Sequence, residues 1–148
     1  MKLRPRVTAS VLVTILGAAA AFLPAGTGSA QANAELGIEL NKIESTEQGC
    51  KPVFLFDNET GHQLNRFEVE LVLFDTKGVY SRQVLLNMAP VYEGKQVLAS
   101  FLLQDMPCSD IGRILVNALP TCANSTNNDL DCLAMLKVSS RADVPLEK

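Results

Sequence analysis

Phe67-Glu68-Val69-Glu70-Leu71-Val72-Leu73-Phe74-Asp75-Thr76-Lys77-Gly78, running on into Val79 to Leu86, sets the expected fold. Phe67, Val69, Leu71 and Leu73 alternate with Glu68 and Glu70. Successive side chains of a strand point to opposite faces, so this period of two describes a strand buried on one side. Asp75 to Gly78 reads as a hairpin loop in which Gly78 supplies a positive φ. Val79 to Leu86 then returns as the partner strand.

The same pattern extends in both directions. Upstream, Leu36, Ile38 and Leu40 alternate with Gly37, Glu39 and Asn41. Val53 to Phe56 is a fully apolar run, expected of a strand buried on both faces. It ends in Asp57-Asn58-Glu59-Thr60-Gly61, which is turn chemistry. Downstream, Glu93-Gly94-Lys95 is another turn, and Val97, Ala99, Phe101 and Leu103 alternate after it. Ile114, Val116 and Ala118 follow, then Leu133 to Val138. Seven short strands with no sustained 3.6-residue period predict an immunoglobulin-like antiparallel β-sandwich. A small barrel is the alternative. Two segments compete for helix. Asp110 to Leu119 can open with a helical turn capped by Ser109 or Asp110. Asp129 to Lys137, with Leu130, Leu133 and Leu136 at i, i+3 and i+6, reads as a short C-terminal helix capped by Asp129. The polar tail from Ser140 to Lys148 is expected to be loose.

The first 32 residues read as an export signal. Lys2, Arg4 and Arg6 precede the apolar run Val11 to Leu23, and Ala30-Gln31-Ala32 is a small-x-small cleavage site. Thirteen apolar residues fall short of the roughly 20 needed to span a bilayer as a helix. No cysteine follows closely, so a lipobox is absent. Arg4-Pro5-Arg6 has no adjacent arginine pair, which favours the general secretion route over the twin-arginine one. Cleavage after Ala32 leaves a single domain over residues 33–148. All 16 acidic residues and ten of the 13 basic ones lie in it, a net charge of −6. With no basic run, a nucleic-acid or anionic-lipid partner is not expected.

Export makes disulfides the natural state of Cys50, Cys108, Cys122 and Cys132. Three pairings are possible. Cys122 with Cys132 is favoured because the pair flanks a flexible loop, and this leaves Cys50 with Cys108. No C-x-x-C pair is present, so neither a thiolate metal site nor a redox dithiol is expected.

Chemistry is sparse. His62, the only histidine, sits in the Gly61-His62-Gln63 loop, and no G-x-S-x-G elbow exists. A catalytic histidine needs a nucleophile and an orienting carboxylate beside it. Glu68 and Glu70 share one strand face and read as its wet side rather than as an acid–base pair. Met88, Met106 and Met135 are scattered, unlike a copper carrier. Asn58-Glu59-Thr60 and Asn124-Ser125-Thr126 match glycosylation sequons and read as coincidence. No catalytic, cofactor or metal residue is therefore expected. What remains is surface, above all the polar loops Asp57 to Asn65 and Pro120 to Asp131. Their candidate interaction residues are Asp57, Asn58, Glu59, His62, Asn124, Asn127 and Asp129.

Five stretches carry a resemblance: Glu35 to Glu44, Cys50 to Asn58, Leu71 to Gly78, Cys108 to Asn117, and Asp131-Cys132-Leu133. Together they resemble a family of small exported proteins of Gram-negative bacteria, often labelled only as carrying a Tat signal. The resemblance implies a periplasmic location. It brings no catalytic residues, since the family has none established. The expected function is that of a non-catalytic periplasmic accessory or adaptor protein that binds another cell-envelope protein. The alternatives are a secreted enzyme inhibitor, working by one inserted loop, and a small-ligand carrier.

Overall fold

The computed structural model describes residues 34–148; the stretch read above as an export signal, with its cleavage site, lies outside the described residues. Two sheets face each other. One holds β1 (Glu35–Thr46), β2 (Gly49–Glu59), β5 (Lys95–Ser100), β6 (Leu103–Gln104) and β8 (Leu136–Ser140), in the order β5-β2-β1-β8 with β6 also on β2. The other holds β3 (Leu64–Asp75), β4 (Tyr80–Asn87), β7 (Ile111–Asn124) and β9 (Leu146–Glu147), in the order β4-β3-β7-β9. A 3₁₀ turn (Cys108–Asp110) precedes β7, and a one-turn helix α1 (Cys132–Met135) precedes β8. The architecture is an all-β sandwich.

The period-two pattern is what builds it. Phe67, Val69, Leu71 and Leu73 of β3 are buried against Leu36, Ile38, Leu40, Phe54 and Phe56 of the opposite sheet. Phe56 meets Phe67 edge to face at 6.1 Å, joining the sheets through an aromatic pair. Phe54 stacks on Phe101 at 6.0 Å, which closes the core beyond β5. Gly78 and Gly94 have positive φ, as their turns require.

Several expectations are corrected. Val53 to Phe56 is not buried on both faces. Phe54 and Phe56 point inward, while Val53 and Leu55 lie half-buried on the outer face. The pairing is not purely antiparallel, because β8 runs parallel to β1 and β9 parallel to β7. The helix spans only Cys132–Met135, capped by the Asp131 carboxylate accepting from the Ala134 N–H rather than by Asp129. From Leu136 onward the chain is claimed by the ladder to β1. Ahead of β7 the helical turn is confined to Cys108–Asp110, and no side chain caps it.

The tail is not loose. Leu146 is buried, the Ile114 N–H donates to the Pro145 carbonyl, and Arg113 pairs with Glu147 at 2.9 Å. Arg113 also lies over the Phe74 ring, 3.6 Å from its centroid.

Gly112 lets β7 pass against the β3–β4 hairpin. A Cβ there would stand 2.2 Å from the Asp75 carbonyl oxygen and 2.8 Å from the Thr76 Cα. Both obstacles are backbone, so they yield only if the turn moves. Gly112→Ala is expected to cost about 2–3 kcal/mol, read as a lower denaturant midpoint with an unchanged slope.

Candidate functional site

Following each strand end to end sorts the loops into two poles. At one lie the β2–β3 loop (residues 60–63), the β4–β5 segment (88–94), the β7–α1 loop (125–131) and α1. Leu64 ties them together. It pairs with Asn124 on one flank and exchanges two 2.9 Å backbone hydrogen bonds with Val91 on the other. Arg66 reaches Asp129 at 3.5 Å, and Ala123 bridges to Asp129. The two polar loops singled out from sequence, some sixty residues apart, thus share one end of the sandwich. At the opposite pole are the turns at 47–48, 76–79 and 105–110.

Each loop is built on a buried or half-buried asparagine. Asn58 is fully buried on the same face of β2 as Phe54 and Phe56. Its amide nitrogen donates to the carbonyls of His62 (2.9 Å) and Val91 (3.0 Å). Its amide oxygen accepts from the Thr60 N–H (3.2 Å) and hydroxyl (2.7 Å). Asn58 is therefore a scaffold for two loops, not an interaction residue, and burial bars its sequon from carrying a glycan.

Asn124 does a parallel job. Its oxygen accepts from the Thr126 N–H (3.0 Å), the Thr126 hydroxyl (2.8 Å) and the Asn128 N–H (3.0 Å). Asn127 takes the positive φ of 60° that the tip needs. Two more constraints hold this loop: the Leu130 N–H donates to the Cys122 carbonyl, and Cys122 is joined to Cys132.

Of the remaining candidates, Glu59, His62, Asn127 and Asp129 are exposed. Asp57 is half-buried on the outer face and accepts from Gln96 at 2.8 Å. Sequence reading missed two apolar side chains at this pole, Tyr92 and Leu133, which are 53% and 49% exposed. Sequence carries no signal that separates them, because each stands among apolar neighbours, Met88 to Val91 and Cys132 to Leu136.

The cysteines are paired as Cys50–Cys108 and Cys122–Cys132, with Cα separations of 4.8 and 6.3 Å. The first lies at the pole opposite the loops and joins β2 to the segment entering β7. The second lies at the loop pole and joins β7 to α1. Thiolate metal binding is thereby excluded. Glu68 and Glu70 sit on the outer face of an interior strand, where Glu68 accepts from the Thr121 hydroxyl (2.6 Å) and Glu70 from the Asn117 amide. Met106 is buried, and Met88 and Met135 pack against the core. Among the described residues no three His, Cys, Asp or Glu side chains converge to hold a metal. A recess of about 510 Å³ is lined by Ser45 to Gly49 and Asp105 to Ser109 at the opposite pole.

Comparison with known proteins finds no matching family model, no matching curated protein and no matching solved structure.

Proposed function

We propose that this is a non-catalytic accessory or adaptor protein of the periplasm that binds another cell-envelope protein through the loop pole. One observation carries the reading. Two braced loops, distant in sequence, meet at one end of the sandwich, and there Tyr92 of the β4–β5 segment and Leu133 of α1 are exposed along with Glu59, His62, Asn127 and Asp129. Exposed aromatic and aliphatic anchors with a polar surround are the usual anatomy of a protein–protein interface. Bracing matters because a loop already ordered loses little entropy on binding.

The periplasmic assignment draws on the export-signal pattern of residues 1–32, on the two disulfides and on the family resemblance. Among the described residues no helix is long and apolar enough to cross a membrane. The inhibitor alternative uses the same pole. It draws on the Asn124-capped, disulfide-tied loop, whose tip at Asn127 is the part that would enter a target's cleft.

The test is photo-crosslinking in the native envelope from probes at His62, Tyr92 and Asn127, with a probe at Lys77 on the opposite pole as control. The expected result is one dominant protein adduct from the loop-pole probes and none from Lys77. Adducts from Lys77 alone, or none from any position, would overturn the reading. A soluble hydrolase as the captured protein would select the inhibitor alternative.

A further inference from the structure

The four outer strand edges of the sandwich are unequally defended. On one flank β8 carries Lys137 and is followed by Arg141, whose guanidinium holds Glu39 at 2.9 Å, and β9 is only two residues long and clamped by Arg113–Glu147. Charge and brevity are the ordinary ways a sheet protects an open edge. On the other flank lie β5 and β4. The β5 edge is six residues, opens with Lys95, and ends where the chain departs at Phe101. The β4 edge is eight residues, Tyr80-Ser81-Arg82-Gln83-Val84-Leu85-Leu86-Asn87, without proline. Its single charge, Arg82, is turned away to donate to the Gln104 carbonyl at 3.0 Å.

The register says which main-chain groups of β4 are open. The Met88 N–H donates to Phe67, so Met88 belongs to a hydrogen-bonded pair of the β3–β4 ladder. Such pairs alternate along an antiparallel ladder. Leu86, Val84 and Arg82 therefore spend their N–H and C=O groups on β3, and those of Asn87, Leu85 and Gln83 point outward. The outward set is symmetric about Leu85, a leucine 57% exposed with one carboxamide two residues to either side. Val84 and Leu86 flank the same centre and pack inward.

We propose that β4 pairs antiparallel with β4 of a second copy of this chain, with a two-fold axis at Leu85. Across that axis Leu85 exchanges both backbone hydrogen bonds with its counterpart. Gln83 faces Asn87 of the other copy, and Asn87 faces Gln83, so six hydrogen bonds form and amides lie opposite amides. Leu85 meets Leu85 on the outer face, and Val84 meets Leu86 on the inner one. The strand is thus complementary to itself, which is what an isologous two-fold interface requires. The two four-stranded sheets become one of eight strands, and the two loop poles face opposite directions. This inference does not rest on the proposed function.

The test uses protein expressed with its leader and purified under oxidising conditions, so that the four native cysteines are occupied. Light scattering should give twice the chain mass, and Leu85→Arg should return it to the single-chain mass with unchanged circular dichroism. Leu85→Cys should join the two copies through a short thiol crosslinker, since facing Cα atoms of a hydrogen-bonded pair are about 5.5 Å apart. Leu98→Cys, on the β5 edge and 65% exposed, should not. A single-chain mass at every concentration would overturn the proposal. So would a dimer that survives Leu85→Arg, or one that crosslinks through Leu98→Cys instead.

Discussion

Asn58→Leu is expected to lower stability by about 2–4 kcal/mol, measured as a shift in the denaturant midpoint. The substitution is close in volume, so little cavity is left, and the cost is almost wholly electrostatic. Four groups lose their bond to the Asn58 amide: the His62 and Val91 carbonyls and the Thr60 N–H and hydroxyl. The Val91 carbonyl keeps the Leu64 N–H and the His62 carbonyl keeps the Thr60 hydroxyl, so the buried Thr60 N–H alone is left unpaired, at about 1–3 kcal/mol. The loss should also be shared. Two segments, 60–63 and 91–94, meet on this one side chain, so amide exchange at both should rise together. Exchange that rises only near Thr60 would mean that the β4–β5 segment holds itself.

Removing the Cys50–Cys108 bridge by Cys50→Ala/Cys108→Ala is expected to cost about 4 kcal/mol, against about 3 kcal/mol for Cys122→Ala/Cys132→Ala. The difference follows from the sequence separations of 58 and 10 residues: the longer loop gains more chain entropy when the unfolded state is released. Against a total stability of roughly 5–15 kcal/mol for a domain of this kind, the first double variant sits near the margin of folding. Thermal unfolding of both, monitored by circular dichroism, gives the ranking. The reverse order would mean that the short bridge carries packing energy at the loop pole beyond its effect on the unfolded chain.

How far the sequence reveals this molecule can be judged strand by strand. β3 is legible because its wet face carries Glu68 and Glu70, whose carboxylates meet Thr121 and Asn117 rather than the core. The polar half of the alternation makes the strand readable. β2 is misread because Val53 and Leu55, on its outer face, are apolar too, and composition cannot separate half-buried from buried. The tail misleads in the other direction. Its core contribution rests on Leu146 and on a backbone bond at Pro145, against a background of Arg141, Asp143, Glu147 and Lys148.

Asn58 was open to the right reading. It lies two residues beyond Phe56 and four beyond Phe54, so parity alone puts it indoors. The sequon drew attention to its chemistry and away from its position. The candidate surface was half legible. Loop composition located the polar residues, but that both loops share a pole depends on strand order. Tyr92 and Leu133 emerge only when exposure is known.

The chain enters at Glu35, which pairs with Glu59, and Lys148 reaches back to the Leu136 carbonyl, where Leu136 lies beside Leu36. Glu35 therefore stands at the loop pole, whereas the backbone of β9 ends beside Leu115, in the part of β7 nearer the opposite pole. A fusion partner joined just ahead of Glu35 would crowd the face carrying His62 and Tyr92. Immobilisation through the Thr76–Lys77 hairpin would leave that face free.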